Sequence, residues 1–150
     1  NKSADWLIES GDKDLVLQFI FSEIIEPLIG INEPQFIYNF PVAQASLAKV
    51  CPQDSRVAQR FECYYRGVEL ANGFNELTNA NEQVSRFEQD NQKRKVQGLV
   101  EKPIDERFIA ALSHGLPECS GVALGIDRLL MLALDVQQIN EVQSFGVDRA

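Results

Sequence analysis

The spacing of apolar residues along this chain changes several times, and each change marks an element. Residues 14–25 read D-L-V-L-Q-F-I-F-S-E-I-I, apolar on more than one side and closely followed by Pro27, which predicts a mostly buried helix. Phe36-Ile-Tyr-Asn-Phe40, before Pro41, has the composition of a short strand. Residues 43–50 suggest a brief helix ending before Pro52. Residues 57–65 and 68–77 are strand candidates on either side of Arg66-Gly67, so a hairpin is expected. Residues 79–97 are polar, with Val84 and Phe87 at helical spacing and Gly98 suited to the cap. Asp105 precedes another helix, 106–114, closed by Gly115; a strand at 119–125 and a helix at 126–134 follow. Residues 142–147 suggest a last short strand. The elements add up to an α+β fold, antiparallel strands with helices packed on one face.

The hairpin concentrates the polar chemistry. With Arg66 and Gly67 as a two-residue turn, Tyr64 faces Glu69 and Glu62 faces Ala71, which makes Glu62 and Glu69 diagonal neighbours on one side. Two adjacent carboxylates repel and want cations. Arg56, Arg60 or Arg66 can supply them as surface pairs, or a metal can. Alternation puts Asn72, Phe74 and Glu76 on one strand face, and Glu69 on the other. If all four belong to one site, a bulge must intervene, and residues 71–73 are the expected place. Further on, a side-chain-poor strand through Gly121 and Gly125 runs into Ile126-Asp127-Arg128. Such a strand lets a flat ligand lie against the backbone, and an arginine beside it suits base stacking or phosphate contact. A buried glycine-rich strand with Arg128 paired to an acid accounts for the same pattern.

Composition narrows the classes. The 150 residues suffice for one domain with a core. No apolar run approaches the roughly 18 residues of a membrane span, and Asn1-Lys-Ser-Ala-Asp-Trp6 does not read as a signal peptide. Cys51, Cys63 and Cys119 are widely spaced beside a single histidine, His114, which speaks against a zinc site or disulfide framework and for a reducing, cytoplasmic setting. The net charge of −8 argues against a broad surface for tRNA or DNA. Lys93-Arg94-Lys95 reads as a solvated helix face, and His114, before Gly115, as a helix-capping residue.

Two segments resemble a known family. G-V-A-L-G-I-D-R-L (121–129) resembles the third signature motif of class II aminoacyl-tRNA synthetases. R-F-E-C-Y-Y-R-G-V-E-L-A-N-G-F-N-E-L-T (60–78) resembles the lysine-binding region of the lysyl subclass. With the linking helices the resemblance covers roughly residues 34 to 150. It is nearest to the bacterial paralogues of lysyl-tRNA synthetase that attach β-lysine to elongation factor P.

The resemblance implies the class II synthetase-like antiparallel sheet flanked by helices, ATP and Mg2+ as cofactors, and activation of β-lysine or lysine as an adenylate. Glu62 and Glu69 are then expected to hold magnesium and ATP, with Arg128 stacked on adenine and Gly125 allowing close approach. Asn72, Phe74, Glu76 and Ala123 are expected to bind the amino acid: an amide for its carboxylate, an apolar wall, a carboxylate for its distal ammonium, and the floor. Core packing also explains Phe74, and Asp127 fits a structural acid holding the loop. No protein base is required, because the substrate carboxylate itself attacks the α-phosphate.

Departures from the family matter too. Lysyl-tRNA synthetases usually have glycine where this chain has Ala123, and Gln44-Ala-Ser-Leu-Ala48 lacks their common proline. One carbon discriminates by only about 1–3 kcal/mol. The terminus Ser144-Phe-Gly-Val-Asp-Arg-Ala150 resembles that of the paralogues. The family's first and second motifs are not found, so residues 1–150 are expected to be the C-terminal part of a catalytic domain, with little activity alone and a homodimeric parent. Two other readings stay open: the catalytic C-terminus of a lysyl-tRNA synthetase, and a non-catalytic synthetase-like binding module.

Overall fold

The computed structural model describes residues 11–146. Asp12 starts the first helix by accepting the backbone N–H groups of Asp14 and Leu15 on its carboxylate, at 2.9 and 3.3 Å. Helix α1 runs Lys13–Ile20, loosens into a π turn over Phe21–Ile25, and ends in a 3-10 turn at Glu26–Leu28. Pro27 in that turn has no N–H with which to continue it. The expectation of a mostly buried helix is not met. None of these residues but Ile29 and Gly30 just beyond is buried, and Leu17, Ile24 and Leu28 are 48%, 56% and 69% exposed. The segment touches the sheet through Phe21, whose ring meets Phe40 and Tyr64 at 6.2 and 5.9 Å between centroids, and its outer apolar face is uncovered among the described residues.

Five antiparallel strands build the sheet: β1 (Gln35–Pro41), β2 (Val50–Cys51), β3 (Asp54–Tyr65), β4 (Val68–Asn75) and β5 (Ser120–Leu124). The order is β1-β3-β4-β5, with β2 also pairing β3. Residues 43–50 do not form the expected helix. A 3-10 turn at Val42–Gln44 leads to Ser46 in the left-handed region (φ 53°), then to an isolated bridge between Ala48 and Glu76 and to β2. Long-range backbone bonds win over local helix formation there: Lys49 N–H donates to Asn75 O, Gln59 N–H to Lys49 O and Leu77 N–H to Leu47 O, at 2.8–2.9 Å.

The β3–β4 hairpin turns on Arg66 and Gly67, both with positive φ (51° and 72°), as a tight two-residue turn requires. Tyr64 faces Glu69 as expected, but Glu62 faces Asn72 rather than Ala71. Cys63 pairs with Ala71 and Tyr64 with Glu69, so Leu70 is the extra residue of a bulge. The irregularity therefore exists, one position before the expected place.

Around the sheet lie α2 (Ala80–Val96), capped by the Asn79 side chain, α3 (Glu106–His114), capped by Asp105, and α4 (Ile126–Leu134). Phe87 and Phe108 bring α2 and α3 together at 6.2 Å, and α4 packs on β4. The tightest core is Ala45, Ala48 and Ala58 with Phe74 packed against them. After a 3-10 turn at Ile139–Glu141 the chain makes bends and no strand up to Gly146; Val147 of the expected last strand lies outside the described residues, as do Asn1–Trp6.

Candidate functional site

The bulge at Leu70 decides which side chains meet. It shifts the alternation by one, so Glu69 opposite Tyr64 and Asn72 opposite Glu62 share a face. Phe74 opposite Arg60 extends the row, and β5 adds Ala123 opposite Asn72 and Gly121 opposite Phe74. Arg60, Glu62, Tyr64, Glu69, Asn72, Phe74 and Ala123 thus occupy one side of the sheet. Glu76 follows just beyond β4, held by its N–H donating to Cys119 O at 3.0 Å. Gly73, between them, is required by close approach: an added Cβ would run into the Phe61 ring and lie 2.8 Å from Gly121 O.

Glu62 is the most enclosed acid of the group, only 5% exposed. Its Oε1 accepts from Arg60 Nη2 and from Asn72 Nδ2 (2.8 Å), and its Oε2 accepts the Tyr64 hydroxyl at 2.5 Å. Arg60 is fixed in turn by Gln44 O (2.7 Å) and Asn72 Oδ1 (3.3 Å), and its guanidinium lies over Phe40 and Phe74, 4.6 and 5.9 Å from their centroids. Of the three arginines offered as neutralisers, Arg56 pairs with Asp54 and Arg66 with Asp135. Arg60 does pair with Glu62, in a buried contact rather than on the surface. Burial first, then the bond to Glu62 and the nearby Glu62, Glu26 and Glu69 charges, holds the Tyr64 phenol well above the usual range.

Glu69 is more open. Asn72 Nδ2 lies 3.5 Å from its Oε1, and Arg128 Nη1 lies 3.6 Å from its Oε2 and 2.8 Å from its backbone oxygen. Arg128, half exposed on the first turn of α4, therefore stands beside the acid pair. Gly125 precedes that turn, its N–H donating to Leu70 O at 2.8 Å. Asp127 accepts from Gln143 Nε2 at 3.0 Å, tying the last turn to α4. Glu26, from the 3-10 turn after α1, joins the acidic neighbourhood. Burial and the charges of Glu69 and Glu62 raise its carboxyl above the ordinary value, against the pull of Arg128. The Glu76 carboxylate has no hydrogen-bond or ion-pair partner among the described residues. No group of three or more His, Cys, Asp or Glu able to hold a metal occurs among the described residues.

A cavity of about 480 Å3 opens over the acid pair, walled by Phe21, Phe40, Arg60, Glu62, Tyr64 and Glu69. A larger one, about 830 Å3, lies between α1, α2 and the 102–105 loop and contains none of the sequence-predicted site residues. The smaller cavity is the chemically equipped one. His114 and Lys93-Arg94-Lys95 lie away from it, in the last turns of α3 and α2, where positive charge suits the helix dipole. Arg60, Tyr64, Phe40 and Glu26 were not among the sequence candidates for binding. Alternation places Arg60 and Tyr64 beside Glu62, a usable signal, whereas Phe40 and Glu26 arrive from elements whose docking no local pattern reveals.

Residues 28–149 match the tRNA synthetases class II (D, K and N). The chain is 60% identical over 139 residues to proteins named elongation factor P–(R)-β-lysine ligase from Klebsiella pneumoniae and Proteus mirabilis, covering 93% of this chain and 43% of theirs. A protein of the same name from Haemophilus influenzae is 58% identical over 142 residues, 95% of this chain and 44% of its own. The chain thus spans less than half the length of these relatives. No helix among the described residues is long and apolar enough to cross a membrane. Since the match extends over most of its length, from the turn after α1 through α4, the chain belongs to the class II tRNA synthetases of the D, K and N group.

Proposed function

We propose that this chain is the amino-acid-binding and part of the ATP-binding side of a cytoplasmic ligase that activates β-lysine and transfers it to a lysine side chain of elongation factor P. The observation that carries the reading is the Glu76 carboxylate, without a partner among the described residues and just beyond the strand that carries Asn72 and Phe74. A carboxylate in that state is suited to a ligand ammonium, because a charge-assisted hydrogen bond is about twice as strong as a neutral one. The identity to proteins named as β-lysine ligases supports the substrate and the acceptor.

In this mechanism Glu76 receives the distal ammonium, Phe74 walls the methylene chain, and Ala123 forms the floor opposite Asn72. Asn72 is oriented by Arg60 on its oxygen and by Glu62 on its nitrogen, and its second amide N–H, held only by the long 3.5 Å contact to Glu69, turns to the substrate carboxylate. The adenine stacks on Arg128, whose stem lies against Gly125, and the glycine gives that stem room. The substrate carboxylate attacks the α-phosphate, pyrophosphate leaves, and the acceptor amine then takes the acyl group with release of AMP.

The two acids fit magnesium unequally. Glu69 offers a carboxylate beside the Arg128 guanidinium, and magnesium needs only one or two such ligands with phosphate and water completing its shell. Glu62 is the less available of the two, because its carboxylate already accepts from Arg60, Asn72 and Tyr64. Glu69 would hold the ion there, and the ion would supply positive charge against the phosphates. The full-length protein incubated with elongation factor P, ATP and β-lysine is expected to add one lysyl unit to one lysine, read by intact-mass and peptide mass spectrometry. Unmodified factor beside charged tRNA would move the assignment to tRNA charging.

A further inference from the structure

Glu76 owes its position to a missing side chain on the neighbouring strand. Its backbone is fixed to β5 through Cys119, and its carboxylate folds across that strand onto Gly121. A Cβ added at Gly121 would overlap Glu76 Oε1 and stand 3.4 Å from Cδ and 3.9 Å from Cγ. Every atom it meets belongs to Glu76, the obstructing one at the mobile end of that side chain. At Gly73 the obstruction is a ring and a backbone oxygen instead. A methyl group at 121 therefore displaces the carboxylate and spares the sheet.

We propose that Gly121 is a specificity-determining residue: it sets the depth of the Glu76 carboxylate and so the length of diamino acid the site accepts. The inference rests on the reading of Glu76 as the ammonium acceptor. Because Phe74 stands opposite Gly121 and Asn72 opposite Ala123, carboxylate, wall and amide lie in sequence along the two paired strands. Depth at the Glu76 end therefore translates into chain length between ammonium and reacting carboxylate. Raising the carboxylate by a methyl group shortens the chain that fits. One methylene in such a pocket is worth about 10–200-fold in discrimination.

The test is ATP–pyrophosphate exchange by the full-length protein with β-lysine and with its homologue one methylene shorter, 3,5-diaminopentanoate. Gly121→Ala is expected to raise KM for β-lysine about tenfold or more while kcat stays within about threefold, and to shift kcat/KM toward the shorter homologue. Adding Glu76→Asp to Gly121→Ala withdraws the carboxylate by one carbon and is expected to restore part of the β-lysine affinity. A Gly121→Ala enzyme with unchanged preference, or one that loses both substrates equally without rescue, overturns the proposal. A wild-type enzyme that activates no diamino acid overturns the reading of Glu76 itself, and with it this inference. A discriminating wild type with an equally discriminating variant overturns the Gly121 inference alone.

Discussion

Arg60 and Glu76 represent opposite electrostatic solutions within one sheet face. Arg60 and Glu62 are both desolvated, with side chains 18% and 7% exposed, and each satisfies the other together with Tyr64, Asn72 and Gln44. Removing one partner of such a pair strands a buried charge, which costs about 3–5 kcal/mol, whereas removing both is often close to neutral. Arg60→Met is therefore expected to lower stability by about that amount in urea denaturation, and Arg60→Met with Glu62→Gln to recover most of it. Equal losses in the single and double variants would show that the ion pair is not what matters at this position. Glu76 is left open instead. Glu76→Gln keeps the shape and loses the charge, so KM for the diamino acid is expected to rise roughly 10–150-fold, the worth of a hydrogen bond to a charged group. Exchange kinetics of the full-length protein measure it, and an unchanged KM removes Glu76 from the site.

Glu26 supplies a pH signature at the same scale. Burial and the Glu69 and Glu62 charges make the folded protein hold this proton more tightly than the unfolded chain does. Its contribution to stability is complete below the ordinary value of 4.5 and is lost as pH rises through the higher folded value. Glu26→Gln, neutral throughout, is expected to melt above wild type at neutral pH and to lose that advantage below pH 4.5. A lower melting temperature at neutral pH would mean that the charged form of Glu26 is stabilising.

Elements obey the local pattern where local chemistry is strong and depart from it where distant partners compete. The hairpin was legible because Arg66-Gly67 and the flanking alternation agree. A bulge was legible as a necessity, since Glu69 and Asn72 otherwise face apart, but its residue was not: Leu70 is apolar and carries no bulge signal of its own. The helix after Asp105 was legible from that residue, and the one over 79–97 from Val84, Phe87 and Gly98, with Asn79 proving to be its capping side chain. Residues 43–50 looked helical because their bonds to Asn75, Gln59 and Leu77 are long-range and leave no trace in a local window. Apolar residues all round 14–25 correctly indicated a helix, yet periodicity does not show what covers it. At Gly73 the constraint is steric. Gly73→Ala forces the Phe61 ring and the β4–β5 contact apart, an overpacking expected to cost about 1–3 kcal/mol. Denaturant midpoints measure it, and a neutral substitution would show that β4 and β5 have more room than the structure gives them.

The whole molecule leaves much apolar surface in contact with solvent. Val122 and Leu124 of β5, Ile126 and Leu134 of α4, and Phe36 and Tyr38 of β1 are 47–70% exposed. Apolar patches larger than a few hundred Å2 are unusual on soluble monomers. The isolated 150-residue chain is accordingly expected to bind a hydrophobic dye and to associate as its concentration rises, as seen by light scattering. A monodisperse, dye-silent monomer would mean that these side chains rearrange in solution. One sheet face carries an enclosed acid, an acid beside an arginine, and a carboxylate unpartnered among the described residues, in a chain belonging to a synthetase family and similar to β-lysine ligases.

The central claim of the proposed function is that the protein activates a β-amino acid bearing a distal ammonium. The most direct measurement is ATP–pyrophosphate exchange by the full-length protein, with β-lysine and α-lysine compared side by side. Exchange that depends on the amino acid and favours β-lysine is the expected result. Preference for α-lysine, or no exchange with either, would contradict it.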